Sequence, residues 1–413
     1  MNSETVTASL LRLKALLGPK GYHDDPDDLA PWLVDWRGVF HGAARALLSP
    51  ANVSEVAAIV SIAREAGLPI VPQGGNTGMV GGATPSPSGD SVLLSLRRMN
   101  AIRSIDATSG IAVAEAGVIL GNLHDAALAK GMRFPLSLGA KGSATIGGLV
   151  STNAGGTQVL RFGTMRKLVL GVEAVLPDGS IYDGLAALKK DNRGYDLTQL
   201  LIGAEGTLGV VTAASLRIVP AIGDRAVGWV GVESPQAALR LLRWLEARSG
   251  EAIESFEVVP RDTLDLVLRH IPGTRAPLQT GRAWNVLVEH VSAGGSRAAL
   301  EELLGGALNE ALAQDAVVSA SEAQAEAFWH LRESISEAER ASGPAVQHDI
   351  SVPVDAMPDF MDLAVARVEA AFPGVTAAAF GHLGDGNVHF HVRAPEGVDG
   401  ELWRSGAGKD ASH

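Results

Sequence analysis

Up to about residue 220, short apolar runs alternate with glycine-rich turns; from about Arg225 onward, apolar side chains recur at helical spacing over longer stretches and glycine thins out. Near the N-terminus, Leu10, Leu11, Leu13, Leu16 and Leu17 are spaced for one helical face. A second helix is expected from Ser54, whose hydroxyl can cap free amides, through about Ala66. LPIVP (68–72) reads as a buried strand entering a glycine cluster, and SVLLSL (91–96) and IAVAEAGV (111–118) read as further strands. A helix over Leu120 to Ala129 follows, then the strand-and-turn text VLGVEAVLPDGSIYDG. In the second half, VGWVGVE (227–233) and AWNVLVEHV (283–291) are each followed by a helical stretch, PQAALRLLRWLEARSG ending at Gly250 and SRAALEELLGGALNEALA. This alternation predicts an α+β or α/β first domain, residues 1–221, and a second, residues 222–413, with an antiparallel sheet covered by helices, the chain as a whole being α+β.

Composition narrows the chemistry. A chain of 413 residues, 46% hydrophobic, can bury a large core. Its 46 acidic against 34 basic side chains give a net charge of -12, which disfavours nucleic acid or an anionic lipid surface as a partner. With no cysteine, disulfides, thiolate nucleophiles and iron-sulfur ligation are excluded, and any metal must rest on His, Asp or Glu. No run of about 18 apolar residues could span a bilayer, and the N-terminal text lacks the apolar stretch of a signal peptide, so a cytoplasmic location with no transmembrane segment is expected.

Three glycine clusters carry the first candidate chemistry. PQGGNTGMVGG (72–82) directly follows an expected strand, where backbone amides can turn toward one point and take a diphosphate. It contains neither the dinucleotide fingerprint G-x-G-x-x-G nor a Walker loop, which disfavours a Rossmann or P-loop protein. With LGAKGSATIGGLVSTNAGG (138–156) and IGAEGTLGVVT (202–212), it favours an extended, phosphate-bearing cofactor, although each cluster alone also reads as a turn or bulge requiring positive φ. Near the end, GHLGDGNVHFHV holds three histidines within ten residues. His389 and His391 fall on one face of an expected strand, where imidazoles can converge on a divalent cation such as Zn²⁺.

Taken in order, PQGGNTGMVGG, LGAKGSATIGGLVSTNAGG, KKDNRGYDLTQLLIGAEGTLGVVT and FGHLGDGNVHFHV resemble the FAD-linked D-2-hydroxyglutarate and D-lactate dehydrogenases, over about Asp25 to Val392. The resemblance implies a vanillyl-alcohol oxidase type FAD-binding domain followed by a substrate, or cap, domain. It assigns the FAD diphosphate to Gly74, Gly75, Asn76, Thr77 and Gly78. The pyrophosphate and isoalloxazine fall to Gly139, Ser143, Thr145, Gly148 and Asn153, with Glu205, Gly206 and Val210 completing the pocket. Relatives that attach FAD covalently use a histidine in the first loop; Gly75 and Asn76 stand there here, so FAD is expected to be non-covalent.

By the same resemblance His382 and His389 match two ligands of zinc or another divalent metal, and His391 occupies a substrate-contacting position usually held by asparagine. In FWHLRESISEAER, Arg332 matches the arginine that binds the substrate carboxylate, with Ser336 at a hydroxyl-bearing position; i, i+4 spacing on one helix would put both on one face. The competing reading of Arg332 is a surface ion pair with Glu333 or Glu337. Two departures stand out. Gln347 replaces a lysine expected near the distal acid group of the substrate, pointing to a shorter or less acidic substrate. A Glu-His-Gly motif supplying a third metal ligand has no match before SGAGKDASH, where Glu401 and His413 are the nearby candidates; a weakened metal site is therefore expected.

The implied activity is oxidation of a D-2-hydroxy acid, of the D-2-hydroxyglutarate, D-lactate or D-malate class, to the 2-oxo acid. Hydride would pass to flavin N5, with His391 as the base, and electrons would leave to an acceptor protein or a quinone. A flavin-binding subunit or impaired paralogue in a larger complex, and an oxidase that reduces O₂, stay open as alternatives. So does self-association into a homodimer.

Overall fold

A computed structural model of the chain describes residues 3–186, 188, 190–395 and 397–411, without the side chains of Ser3 and Glu401. The chain divides into two compact units, Met1–Gly156 with Phe162–Ala221, and Thr157–Arg161 with Ile222–His413.

In the first unit, the helix Ser3–Gly21 buries Val6, Leu13 and Leu17 against the helix Val53–Ala66. The second of these helices is capped two residues earlier than Ser54 would place it. Asn52 accepts from the Glu55 amide at 2.9 Å, while the Glu55 carboxylate reaches back to the Ala51 amide at 2.7 Å. The two contacts together satisfy amides at the helix start, and Gly67, at φ 63°, ends the helix in the left-handed region. Among the described residues this unit holds a four-stranded sheet in the order Tyr22–His23, Leu47–Leu48, Val92–Ser95, Ile70–Gln73. The strand expected at 68–72 thus runs Ile70–Gln73, and it is half-buried until Gln73. A five-stranded antiparallel sheet follows, in the order Ile102–Asp106, Ile111–Glu115, Val210–Arg217, Val169–Val175, Ile181–Asp183.

The second unit is built on an antiparallel seven-stranded sheet, in the order Asp315–Val318, Asp224–Val232, Trp284–Ser292, Ile253–Pro260, Thr376–His382, Asn387–Arg393, Ala345–Ser351. One face packs Val230, Phe256, Val258, Val286, Val288 and Val392 against the helices Pro235–Ser249, Ser296–Asn309 and Met357–Ala371. The other packs Trp229, Val259, Leu287 and Phe380 beneath the helices Arg261–His270, Glu322–Glu333 and Ile335–Ser342. The helix Pro235–Ser249 has its boundaries written in local chemistry: Ser234 accepts from the Ala237 amide at 3.1 Å, Pro235 needs no donor at the first position, and Gly250 closes at φ 59°.

The stretch FWHLRESISEAER does not form one helix. It breaks at Ser334, where φ is -81° and ψ 0°, between Glu322–Glu333 and Ile335–Ser342. The Ser334 hydroxyl lies 3.3 Å from His330 Nδ1, a local side-chain bond of the kind that competes with regular helix.

Candidate functional site

The first-unit loops meet because glycine lets backbones touch. A side chain at Gly74 would place its Cβ 2.4 Å from Thr145 Oγ1, and one at Gly75 would sit 2.1 Å from the Ser143 carbonyl. The third cluster closes in similarly: a Cβ at Gly206 would lie 2.8 Å from Pro72 Cγ, and the Glu205 amide donates to the Ser151 carbonyl at 2.9 Å. Gln73 pins both ends of the first loop, its side-chain amide donating to the carbonyls of Trp32 at 3.0 Å and Ala83 at 2.9 Å. Asn76, Asn153 and Glu205 all adopt positive φ, between 49° and 54°. Asn76 Nδ2 holds the Val34 carbonyl at 2.8 Å and Asn153 Oδ1 the Arg166 amide at 2.9 Å. Buried Val210 opens the strand beneath, and Gly148 lies against Thr145 Oγ1.

This arrangement fits a diphosphate-bearing cofactor. Among the described residues, the backbone amides of Asn76, Thr77 and Gly78 donate to no acceptor, and the buried Thr145 hydroxyl has no partner. Beside Gly78 and Gly139 the protein itself leaves open space. Clustered free amides suit phosphate oxygens without needing lysine.

In the second unit, the sheet face beneath Glu322–Glu333 and Ile335–Ser342 gathers acids, histidines and one arginine. Glu257, 1% exposed on its strand, accepts from Arg332 Nε at 2.9 Å through one oxygen and from His382 Nδ1 at 2.5 Å through the other. Burial opposes ionisation of Glu257, but His382 and Arg332 outweigh it and hold its carboxyl below the usual range. Arg332 therefore pairs across to the sheet, not with Glu333 or Glu337. Its Nη2 lies 2.9 Å from the same Glu257 oxygen but outside hydrogen-bonding alignment, which leaves a buried donor without a partner.

His382 and His389 face each other, Nε2 to Nε2, at 3.4 Å. Glu257 takes the Nδ1 hydrogen of His382, and Asp349 lies 3.6 Å from Nδ1 of His389. Burial first, then Arg332, His382 and His391, push the pKa of His389 well below the ordinary histidine value, so its ring is neutral. With its Nδ1 hydrogen on Glu257, neutral His382 has Nε2 as an acceptor, which His389 Nε2–H satisfies in one tautomer and a cation shared by both rings would satisfy in the other. A tetrahedral Zn²⁺ with Zn–N of about 2.0–2.1 Å separates two ligand nitrogens by roughly 3.3–3.4 Å. Two ligand positions fit. A third is missing: among the described residues no group of three or more His, Cys, Asp or Glu side chains could hold a metal. The side chain of Glu401 and all of His413 lie outside the described residues.

His391, 5% exposed, joins the same face, its ring 5.0 Å from that of Phe380. Its Nδ1 is bonded to the buried carboxylate of Glu339, toward which Gln347 Nε2 also points at 3.5 Å. Gln347 sits directly opposite His391 in the strand register. Ser336 lies half-buried on the helix after the break, so one regular helical face no longer ties it to Arg332. Sequence reasoning missed Glu257, Glu339 and Asp349. For Glu257 alone a signal was available, an acid at an inward-alternating position of an otherwise apolar strand, SFEVV.

The family described as FAD binding domain matches residues 44–184, and that described as FAD linked oxidases, C-terminal domain, matches residues 223–404. D-2-hydroxyglutarate dehydrogenase, mitochondrial, of Arabidopsis thaliana is 37% identical over 385 residues, covering 93% of this chain and 68% of that protein. The protein of the same name in Bos taurus is 40% identical over 370 residues, covering 89% and 67%. Among solved structures, an alkyldihydroxyacetonephosphate synthase superposes with a TM-score of 0.73 at 16% identity, over 98% of this chain and 83% of that one. No helix among the described residues is long and apolar enough to cross a membrane.

Proposed function

The chain belongs to the family of FAD-linked D-2-hydroxyglutarate and D-lactate dehydrogenases, with the vanillyl-alcohol oxidase type fold, and on that premise we propose that it oxidises a short D-2-hydroxy acid at the face formed by Arg332, His382, His389 and His391. The carrying observation is the buried guanidinium of Arg332, whose Nη2 lies beside Glu257 but makes no hydrogen bond. Glu257 fixes one side of the guanidinium, and a substrate carboxylate would take the donor left over. The loops of Gly74–Gly78, Gly139–Asn153 and Glu205–Val210 would hold FAD non-covalently, and the flavin would supply a hydride acceptor for oxidation of the hydroxy acid to a 2-oxo acid.

We assign the hydroxyl proton to His391: Glu339 occupies its Nδ1, which leaves Nε2 to accept. His382 and His389 would hold a divalent cation, Zn²⁺ first, supplying Lewis-acid polarisation of the hydroxyl. The substrate end near Gln347 faces the Glu339 carboxylate, and the Gln347 amide brings no charge to neutralise a second acid group. This favours a monocarboxylate of the D-lactate type over D-2-hydroxyglutarate, with Ser336 as a further polar contact. An acceptor protein or quinone would take the electrons, and our reading places the work in the cytoplasm although the relatives carry mitochondrial names, which cell fractionation decides.

The test is anaerobic addition of D-lactate, D-malate and D-2-hydroxyglutarate, with and without Zn²⁺, to the purified holoprotein while following flavin absorbance near about 450 nm. Bleaching at the lowest concentration with D-lactate is expected. A yellow protein that no acid bleaches would leave the flavin-carrying subunit as the better account.

A further inference from the structure

None of the groups above uses a second cavity in the second unit, of about 70 Å³, bounded by Arg261, Arg282, Asn285 and the loop from Ala276 to Gly281. Two glycines make room for its arginines. A Cβ at Gly231 would sit 2.3 Å from Arg282 Cγ, so the stem of Arg282 lies flat across that strand; a Cβ at Gly281 would fall 1.1 Å from Arg261 Nη1. Asn285, 2% exposed, forms part of the wall. Its amide orientation is fixed, because the indole Nε1 of Trp229 can only donate and does so to Asn285 Oδ1 at 3.0 Å. Nδ2 of Asn285 is therefore a buried donor without an acceptor, and Nε of Arg282 is another.

Each arginine has one acid beside it, Asp265 at 2.7 Å from Arg261 Nε and Asp315 at 3.9 Å from Arg282 Nη2, but neither acid lines the cavity. What lines it is an excess of donors, with two of them, Asn285 Nδ2 and Arg282 Nε, buried and unsatisfied, around a volume that holds a few non-hydrogen atoms and no nucleotide. An unsatisfied buried amide is destabilising, and an oxygen acceptor removes that cost.

We propose that this cavity is a binding site for a small oxyanion, taking two or more oxygens between Arg261, Arg282 and the amide of Asn285. Inorganic phosphate and a short carboxylate share this chemistry. The proposal does not depend on the reading of Arg332 or the histidines.

The test is calorimetric titration of the holoprotein with phosphate and, separately, with acetate, at an ionic strength held constant with chloride. The wild type should bind at least one of the two with one-to-one stoichiometry, and the anion that binds names the source. Arg282→Met should weaken that binding at least tenfold. Arg261→Met, at a more exposed side chain, should do the same, and it decides the matter should Arg282→Met not fold. No binding of either anion, meaning that the cavity holds water only, overturns the proposal. So does an affinity unchanged in the folded variants, which would place the anion elsewhere.

Discussion

The two faces of the seven-stranded sheet are drawn from alternate residues of the same strands, and they differ in kind. At Phe256, Val258, Val286 and Val288 the sheet meets its helices through apolar contact alone, whereas at Glu257 and Glu289 it offers buried acids to the helices opposite, and at Asn285 an amide to the neighbouring strand. Arg332 answers Glu257, Trp229 answers Asn285, and Trp329 donates to Glu289 at 2.8 Å. Burying ions is costly, and replacing a buried ion pair by well-packed apolar side chains is often neutral or stabilising. Stability alone thus accounts for the first face and not for the second. A row of buried acids on the second face, ending in a cluster of three histidines, is what a site for an anionic, reacting ligand requires.

The contrast can be broken at neighbouring positions of one strand. The largest effect is expected from Glu257→Gln, which leaves Arg332 uncompensated inside the protein: stability by urea unfolding should fall by about 3–5 kcal/mol, and turnover should fall with it. A loss below about 1 kcal/mol would mean that the pair is effectively solvated. Next comes Val258→Ala on the apolar face, where two methyl groups leave a packed core; roughly 2 kcal/mol of stability should go, with kcat of the folded protein unchanged. A drop in kcat at this position would erase the division between faces.

The smallest effect concerns His290, buried at 4% exposure on the apolar side, where it alternates with Val288. Burial is the chief cause that holds its pKa below the ordinary value, with Arg161 acting in the same direction and Asp224 against it. The unfolded chain takes up this proton as pH falls below about 6.5 and the folded chain resists it, so stability present above that pH is lost below it, at no more than about 1.4 kcal/mol per pH unit. Urea midpoints at pH 7.5 and 5.5 should differ less in His290→Leu than in the wild type, and an equal difference would remove His290 from the account.

Much of this was legible in the chain. The glycine clusters announced loops that must touch, since Gly74 and Gly75 face Thr145 and Ser143 at distances no side chain could share. Arg332, His382 and His389 were nameable because they sit in dense local patterns. Their partners were not: Glu257 and Glu339 are single acids, 125 and 52 residues away in sequence from the histidines they hold, and nothing local ties them together. The helix break at Ser334 also escaped, because Ile335 and Ala338 continue the apolar rhythm across it and no glycine or proline marks the spot. The early cap at Asn52 was hidden by an equally plausible serine two positions on.

The central claim is that Arg332 receives the substrate carboxylate on the charged face. It is tested most directly by rapid anaerobic mixing of the acid that bleaches the wild type with Arg332→Lys, reading the half-saturating concentration for flavin reduction. Lysine keeps the charge but not the fork that Glu257 holds in place, so half-saturation should rise by about 30-fold or more, the equivalent of roughly 2 kcal/mol. A folded, flavin-loaded Arg332→Lys protein with the half-saturation of the wild type would contradict the claim.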